Sequence, residues 1–307
     1  MKPALRLAAG LPLAQVMGLI LVSAVALAGW AAVRLEADGP GAAGPTVQSG
    51  PEAAAPARRL RLAAFNIRHG RPVQGRVDLD RAVETLSRLA ADVVFLSEVD
   101  QHWRRSGFID QVAYLARSLD MPYVHFAPAL TTRSLLHTSP GTTARYGNLF
   151  LSRLPIAGAG AAYLPRLGRN EPRNVLWIDV QIWGTTVRLY GTHLSVDGRE
   201  RVLQLNALAE LVAASPYPTV ILGDFNSPPE RLAHDAPFLW EAPWHDAHVA
   251  AGEGDGSTFP APSPQSRIDY AFVHTALLPL LAAAEVVPSD ASDHWPVVIE
   301  FVAPQGL

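Results

Sequence analysis

Carboxylates, amides and histidines close one apolar run after another along this chain. In order they are Asn66 in AAFNIRHG, Glu98 in VVFLSEVD, Tyr146 and Asn148 in RYGNLFLSR, and His193 in LYGTHLS. Asp224 and Asn226 follow in VILGDFNSPP, Asp269 in SRIDYAFV, and Asp293 with His294 in ASDHWPVVI. A carboxylate that ends a buried strand is costly unless it is paired or coordinates a cation. Glu98, Asp224 and Asp293, assisted by the amides of Asn66 and Asn226, form an all-oxygen set that suits hard Mg²⁺ over Zn²⁺. Taken singly, each residue says little. Asn or Asp beside Gly usually marks a turn, and His193 alone would serve equally as a hydrogen-bonded core residue.

The elements that must carry these residues alternate between strands and helices. Strands are predicted at Leu60 to Ile67, Val93 to Leu96, Leu149 to Leu151, Thr219 to Leu222, Ile268 to Val273, Ala284 to Val287 and Val297 to Val302. Val175 to Ile182 and Thr186 to Tyr190 form a hairpin about Trp183-Gly184. A helix from Asp78 to Leu89 places Leu79, Ala82, Val83, Leu86 and Leu89 on one face, with Asp78 as its cap. Ile109 to Leu119 and Glu200 to Val212 are the other helices. Residues 225–266, rich in Pro, Gly and polar side chains, read as long surface loops, with Phe238, Trp240 and Trp244 packing them down. This mixture suits one layered α/β domain better than a barrel or a bundle.

Composition narrows the chemistry. The 307 residues include no cysteine, which excludes thiol nucleophiles, disulfide scaffolds, iron–sulfur clusters and cysteine zinc sites. HExxH is absent and the ten histidines are dispersed, which argues against a zinc hydrolase. Lys2, Arg6 and Arg34 balance Glu36, Asp38 and Glu52, so residues 58–307 keep the whole chain's net charge of −3. That balance disfavours a broadly basic nucleic-acid binder and leaves room for a local basic cleft.

Residues 7–33 carry no charge between Arg6 and Arg34, long enough to span a bilayer. Residues 1–35 are accordingly expected to be a membrane anchor, one N-terminal hydrophobic helix, or a cleaved signal with Ala26-Leu27-Ala28 as the cleavage motif. Positive charge before the run and a net −1 just after it would place the C-terminal domain on the extracytoplasmic side of the cell membrane. In the cleaved case the protein would be secreted or periplasmic. Residues 36–57, dominated by Gly, Pro and Ala, read as a linker, and residues 58–307 as the catalytic domain.

The ordered set FNI, LSEVD, YGNLFLSR, THL, GDFNSPP, RIDY and SDHWPV resembles the endonuclease/exonuclease/phosphatase superfamily, the DNase-I-like metal-dependent phosphoesterases. The resemblance covers essentially all of residues 60–303 and implies a four-layered α/β sandwich with two central mixed β-sheets. It also implies that Asn66, Glu98 and Asp293 hold or support a divalent metal, Mg²⁺ with Mn²⁺ as a possible substitute. By the same resemblance Asp224 and Asn226 orient the water or the scissile phosphate, His294 is the general base fixed by Asp269, and His193 stabilises charge on the phosphate. Ser97 stands where many relatives have Gln, next to the retained Glu98.

A phosphodiester anion repels water, so its hydrolysis needs positive charge on the phosphoryl oxygens and a base near neutral pH. Contact with Asp269 would raise the His294 pKa from about 6.5 and orient the ring. Arg173 and Asn148 are the candidate phosphate contacts and Tyr146 a further catalytic residue. Arg145, Arg153, Arg166, Arg169 and Arg173 read either as a basic rim or as a solvated face. For the substrate, a phospholipid head group or small phosphodiester stands beside nucleic acid and a phosphomonoester. From a different class, a catalytically inactive membrane-tethered binding module would require loss of the carboxylates and His294, which all remain. No obligate protein partner is evident.

Overall fold

A computed structural model describes residues 46–48 and 59–303. Segment 7–33, the expected anchor or signal, lies outside the described residues, as does most of the linker. None of the described helices is long and apolar enough to cross a membrane.

Among the described residues, thirteen strands and five α-helices follow in order: β1 (Thr46–Gln48), β2 (Arg59–Asn66), α1 (Leu79–Leu89), β3 (Val93–Gln101), α2 (Gln111–Ser118), β4 (Tyr123–Thr132), β5 (Ala144–Ser152), β6 (Ile156–Tyr163), β7 (Asn174–Ile182) and β8 (Thr185–His193). Then come α3 (Gly198–Ala213), β9 (Thr219–Asp224), α4 (Pro229–Asp235), β10 (Trp244–Asp246), α5 (Ala247–Ala251), β11 (Asp269–His274), β12 (Leu281–Val286) and β13 (Val297–Val302). One sheet runs β1-β4-β5-β3-β2-β13-β12 and the other β10-β11-β9-β8-β7-β6. Each is mixed: β2 and β3 are parallel, as are β8 and β9, within otherwise antiparallel pairings.

Alternation along the strands builds the layers. Leu62, Ala64, Phe95 and Phe150 face Leu176, Ile178, Leu189, Val220 and Leu222 between the sheets. Ala63, Phe65, Val94 and Leu96 point the other way, beneath Leu86 and Leu89 of α1 and Leu115 of α2. On the outer side of the second sheet, Leu205, Leu208 and Val212 of α3 pack with Tyr190, Ile221 and Phe272. The result is the expected helix–sheet–sheet–helix sandwich. Asp78 caps α1, accepting from Arg81 N, and Asp110 and Asp197 do the same for α2 and α3. The β7–β8 hairpin turns on Trp183 and Gly184, both at positive φ, as a two-residue turn matched to strand twist requires.

The structure departs from the sequence reading in three places. Thr46–Gln48, inside the expected linker, pairs antiparallel with β4. Strands β4 and β6 carried weak signals. Pro128 sits within β4 beside a register shift, and β6 reads IAGAGAAY, poor in strand-forming residues. The small residues of β6 have a packing reason, since a Cβ on Gly160 would fall 2.2 Å from the Trp177 ring. Finally, residues 225–266 are not loops throughout but contain α4, β10 and α5. Trp240 and Trp244 do pack inward there, with Trp240 5.3 Å from Phe272 between ring centroids.

Candidate active site

Strand register assembles the site. Asn66 ends β2 opposite Ser97 of parallel β3, one residue before Glu98. His193 ends β8 opposite Asp224 at the end of parallel β9, and Asp224 pairs across to Asp269, the first residue of antiparallel β11. Side chains spread over more than 200 positions therefore meet where the central strands of both sheets stop. Local backbone serves the same end. Glu98 lies at φ 61° in the β3–β5 register shift, which turns its carboxylate out of the ladder. At Gly223, φ is 139° and a Cβ would lie 1.9 Å from Thr192 O, so the GDFN turn needs glycine.

Asn66 is the hinge of the polar network. Its Nδ2 donates to Glu98 Oε1 at 3.2 Å and to Asp224 Oδ2 at 3.0 Å, while its Oδ1 accepts from Arg68 N. Asp224 Oδ1 accepts from Asn226 N at 2.9 Å, and Asn226 Nδ2 spends one hydrogen on Leu194 O. Burial, with Asp269 as a like-charged neighbour, pushes the Asp224 carboxyl up to about 7. Glu98 behaves oppositely. Burial raises its pKa, but hydrogen bonding from His69 and the Asn66 amide, with the His193 ring beside it, holds it at about 2. His69 Nδ1 lies 3.7 Å from Glu98 Oε2.

The two histidines have contrasting partners. His294 Nδ1 lies 2.8 Å from Asp269 Oδ2, which also accepts from Thr258 Oγ1 at 2.6 Å. His294 Nε2 faces Asp224 Oδ2 at 3.8 Å, and the Phe259 ring covers the imidazole at 4.9 Å. Burial works against its charge, but Asp269 and Asp224 overcome it and raise the pKa to about 10. His193 Nδ1 lies 2.8 Å from Arg173 Nη1, and its Nε2 lies 3.4 Å from Asp224 Oδ2. A guanidinium cannot accept, so Nδ1 must offer its lone pair and Nε2 carries the hydrogen. Burial first, then the Arg173 charge, holds His193 well below the ordinary imidazole range.

The remaining sequence candidates sit beside this centre. Arg173 Nη1 is also 2.8 Å from Glu171 Oε1, and that oxygen accepts from the Tyr146 hydroxyl at 3.0 Å. Tyr146 thus reaches the centre through Glu171, Arg173 and His193. Asn148 is turned away from the network, its Nδ2 donating to Asn174 Oδ1 at 2.8 Å. Asp293 is engaged by Arg68 Nε at 3.2 Å and by Ser292 Oγ, and the structure gives it no contact with Glu98. Arg145 and Arg153 flank opposite ends of β5, so these two arginines do not share one rim.

Four participants carried no weight in the sequence reading. His69 stands three residues after Asn66, and Glu171 two before Arg173, so proximity to a motif was a usable signal for both. Thr258 and Phe259 lie in a polar, Pro-rich stretch and gave none.

A hard cation fits the oxygen side of this site. Glu98 is ionised and 23% of its side chain is exposed, and besides His69 its one close side-chain partner among the described residues is the Asn66 amide. Among the described residues, Asp224, Asp269 and His294 also bring ligand atoms within 4.8 Å of one another, although Asp269 and His294 are already joined by a 2.8 Å hydrogen bond.

A two-sheet α/β sandwich with carboxylates, amides and histidines converging at its strand ends is the architecture of metal-dependent phosphoesterases. Residues 63–294 match the Endonuclease/Exonuclease/phosphatase family, and the chain belongs to it, as a hydrolytic phosphoesterase of a generally divalent-metal-dependent family. An endonuclease/exonuclease/phosphatase from Beutenbergia cavernae DSM 12333 is similar at 26% identity and TM-score 0.66, covering 80% of this chain and 72% of that one. A mannosyl-6-phosphatase from Bacteroides thetaiotaomicron shares the fold at 18% identity and TM-score 0.58, over 79% of this chain and 99% of its own. Truncated TDP2 from Caenorhabditis elegans does so at 18% and 0.56, over 80% and 98%. No curated protein sequence matches the chain.

Proposed function

We propose that this protein is a Mg²⁺-dependent phosphodiesterase acting on a phospholipid head group or a small phosphodiester. The observation that carries the reading is the Asp269–His294–Asp224 alignment set beside an ionised Glu98. Glu98 and Asn66 would hold the cation, with Asp293 in support through Arg68. When bound, it supplies positive charge for the phosphoryl oxygens and lowers the proton affinity of His294 by repulsion.

The chain's own groups do the rest. His294, in its neutral form, accepts the proton of the attacking water at Nε2 while Nδ1 keeps its bond to Asp269. A pKa raised by two carboxylates makes it a strong base once that proton is gone. Asp224 fixes Asn66 and the Asn226 loop and orients the water. His193 Nε2–H and the second Asn226 amide hydrogen donate to nonbridging oxygens, which carry more charge in the transition state. Arg173 holds His193 in the donating tautomer, and Tyr146 and Glu171 hold Arg173. Cleavage of one P–O bond by in-line attack of water completes the step. The membrane assignment of residues 7–33, with the domain on the extracytoplasmic side, is part of the proposal and would set lipid beside the site.

The test uses the full chain with bis-p-nitrophenyl phosphate, in Mg²⁺, Mn²⁺ or EDTA, then plasmid DNA, sphingomyelin and phosphatidylinositol. Turnover that needs metal and is lost in His294→Ala is expected, with lipid cleaved faster than DNA. Activity in EDTA, or full activity in His294→Ala, would sink the mechanism. Preference for plasmid DNA would replace the substrate with nucleic acid.

A further inference from the structure

Two loops beside the site carry both apolar and basic side chains outward. Leu135 and Leu136, between β4 and β5, are 60% and 79% exposed, and Phe108 and Ile109, before α2, are 39% and 40% exposed. These loops form one surface. Arg104 N donates to His137 O and Arg104 Nη2 to Leu135 O, each at 2.7 Å, and Thr138 Oγ1 donates to His102 O at 3.0 Å. The Trp103 and His137 rings lie 5.1 Å apart beneath them.

Next to these apolar tips is a cavity of about 580 Å³ whose wall includes Arg71, Arg76, Arg104, Arg105, His69 and Ile109. None of its ten lining residues is acidic, on a chain of net charge −3. Arg105 is committed to buried Asp100 through a bidentate pair at 2.7 and 2.9 Å. Arg71 and Arg76 are exposed, and their side chains have no hydrogen-bond or ion-pair partner among the described residues. The cavity joins the active site through His69, the neighbour of Glu98.

We propose that this face docks on an anionic lipid bilayer, with Leu135, Leu136, Phe108 and Ile109 entering the interface and Arg71, Arg76 and Arg104 receiving lipid phosphates. Three of the four tips, Leu135, Leu136 and Ile109, are aliphatic, and these distinguish a bilayer from a polynucleotide. Nucleic acid would use the arginines and aromatic stacking, and gains nothing from exposed leucines, whereas apolar side chains bordered by arginine are what an acidic membrane surface binds. Docking would bring head groups to the cavity mouth next to Glu98. It explains how the proposed lipid hydrolase meets its substrate, and as a binding event it stands apart from turnover.

Because the chain has no cysteine, Leu136→Cys gives a single labelling site in the full-length protein. An environment-sensitive fluorophore there is mixed with vesicles of phosphatidylglycerol or of phosphatidylcholine. The same label at Val249→Cys, 73% exposed on α5, is the reference. Each probe reads its own face, whatever residues 7–33 contribute to vesicle binding. The expected result is a blue shift at position 136 with phosphatidylglycerol, weak with phosphatidylcholine and absent at position 249. Adding Arg71→Ala with Arg76→Ala should weaken the phosphatidylglycerol response roughly 25-fold, at about fivefold per arginine.

No shift at 136, or equal shifts at both positions, would overturn the docking face. So would a shift produced by single-stranded DNA and not by vesicles. Leu135→Asp with Leu136→Asp should slow cleavage of vesicle lipid about tenfold or more while bis-p-nitrophenyl phosphate turnover is unchanged. Equal loss on both substrates would overturn docking as the cause. A labelled Leu136→Cys chain that shows the fluorescence response, beside a wild-type chain that cleaves neither substrate, would instead refute the hydrolase reading and leave the docking face standing.

Discussion

His193 and His294 both follow apolar strands or precede one, both are buried, and both reach Asp224 Oδ2, at 3.4 and 3.8 Å. They nevertheless hold opposite charge states. The far nitrogen of His294 meets a carboxylate, and the ring is driven toward imidazolium. The far nitrogen of His193 meets a guanidinium, and the ring is driven neutral with its hydrogen on Nε2. One residue type thus becomes a proton acceptor on one side of the site and a fixed hydrogen-bond donor on the other. The chemistry is written in the second partner, Asp269 or Arg173, more than in the histidine itself.

The largest expected effect comes from breaking the His294 side. His294→Ala should lower turnover of bis-p-nitrophenyl phosphate about 10³-fold, within the range of a lost general acid–base group. Asp269→Asn should lose most of the same activity while keeping the ring in place. If His294→Ala costs less than tenfold, proton transfer is not the task of this side.

On the His193 side the expected loss is smaller, roughly 10- to 100-fold in kcat for Arg173→Met, because the donor survives but its tautomer is no longer imposed. Arg173→Lys, which still donates to Nδ1, should recover part of it. The discriminating readout is the ¹⁵N shift of the His193 ring, with Nδ1 unprotonated in the wild type and mixed tautomers in Arg173→Met. An unchanged tautomer alongside lost activity would mean that Arg173 acts on the phosphate directly.

Titration sharpens the contrast without any substrate. In the metal-free protein, NMR should find His294 protonated at pH 7 and releasing its proton only as pH approaches about 10, while His193 stays neutral to well below pH 6.5. Stability carries the same sign. The folded pKa of His294 lies above its unfolded value near 6.5, so its contribution is complete below that pH and disappears as pH rises toward 10. The stability gap between wild type and Asp269→Asn should therefore shrink across that interval. A gap that widens with pH would reverse the assignment of charge.

The sequence made the strand-end residues visible because each sits beside an uninterrupted apolar run, and their ordered motifs named the family before any geometry. What it could not convey was direction. Asn148 lies in a motif as clear as that of Asn226, yet one amide turns inward and the other toward the site. Asp293 neighbours His294 in the chain, but its carboxylate meets Arg68, a pairing separated by 225 positions. Strands β4 and β6 were faint for a related reason, since Pro128 and a run of Gly and Ala are explained only by the partner strand or ring they accommodate.

Asn148 provides the smallest effect on chemistry and the clearest test of that lesson. Its amide is 4% exposed and donates to Asn174 Oδ1, while Asn174 Nδ2 donates to Ala127 O at 3.0 Å. This chain ties β5 to β7 across the two sheets, just behind His193. Asn148→Ala would strand the Asn174 acceptor in the interior, at a cost of about 1–3 kcal/mol in unfolding free energy. Because β7 leads directly from Arg173, a slightly looser sandwich should change kcat by only a few-fold. Denaturant unfolding and bis-p-nitrophenyl phosphate kinetics on the same variant separate the two quantities. A large fall in kcat with stability unchanged would show that Asn148 turns to meet the phosphate when substrate is bound, and would move it from the frame of the site into its machinery.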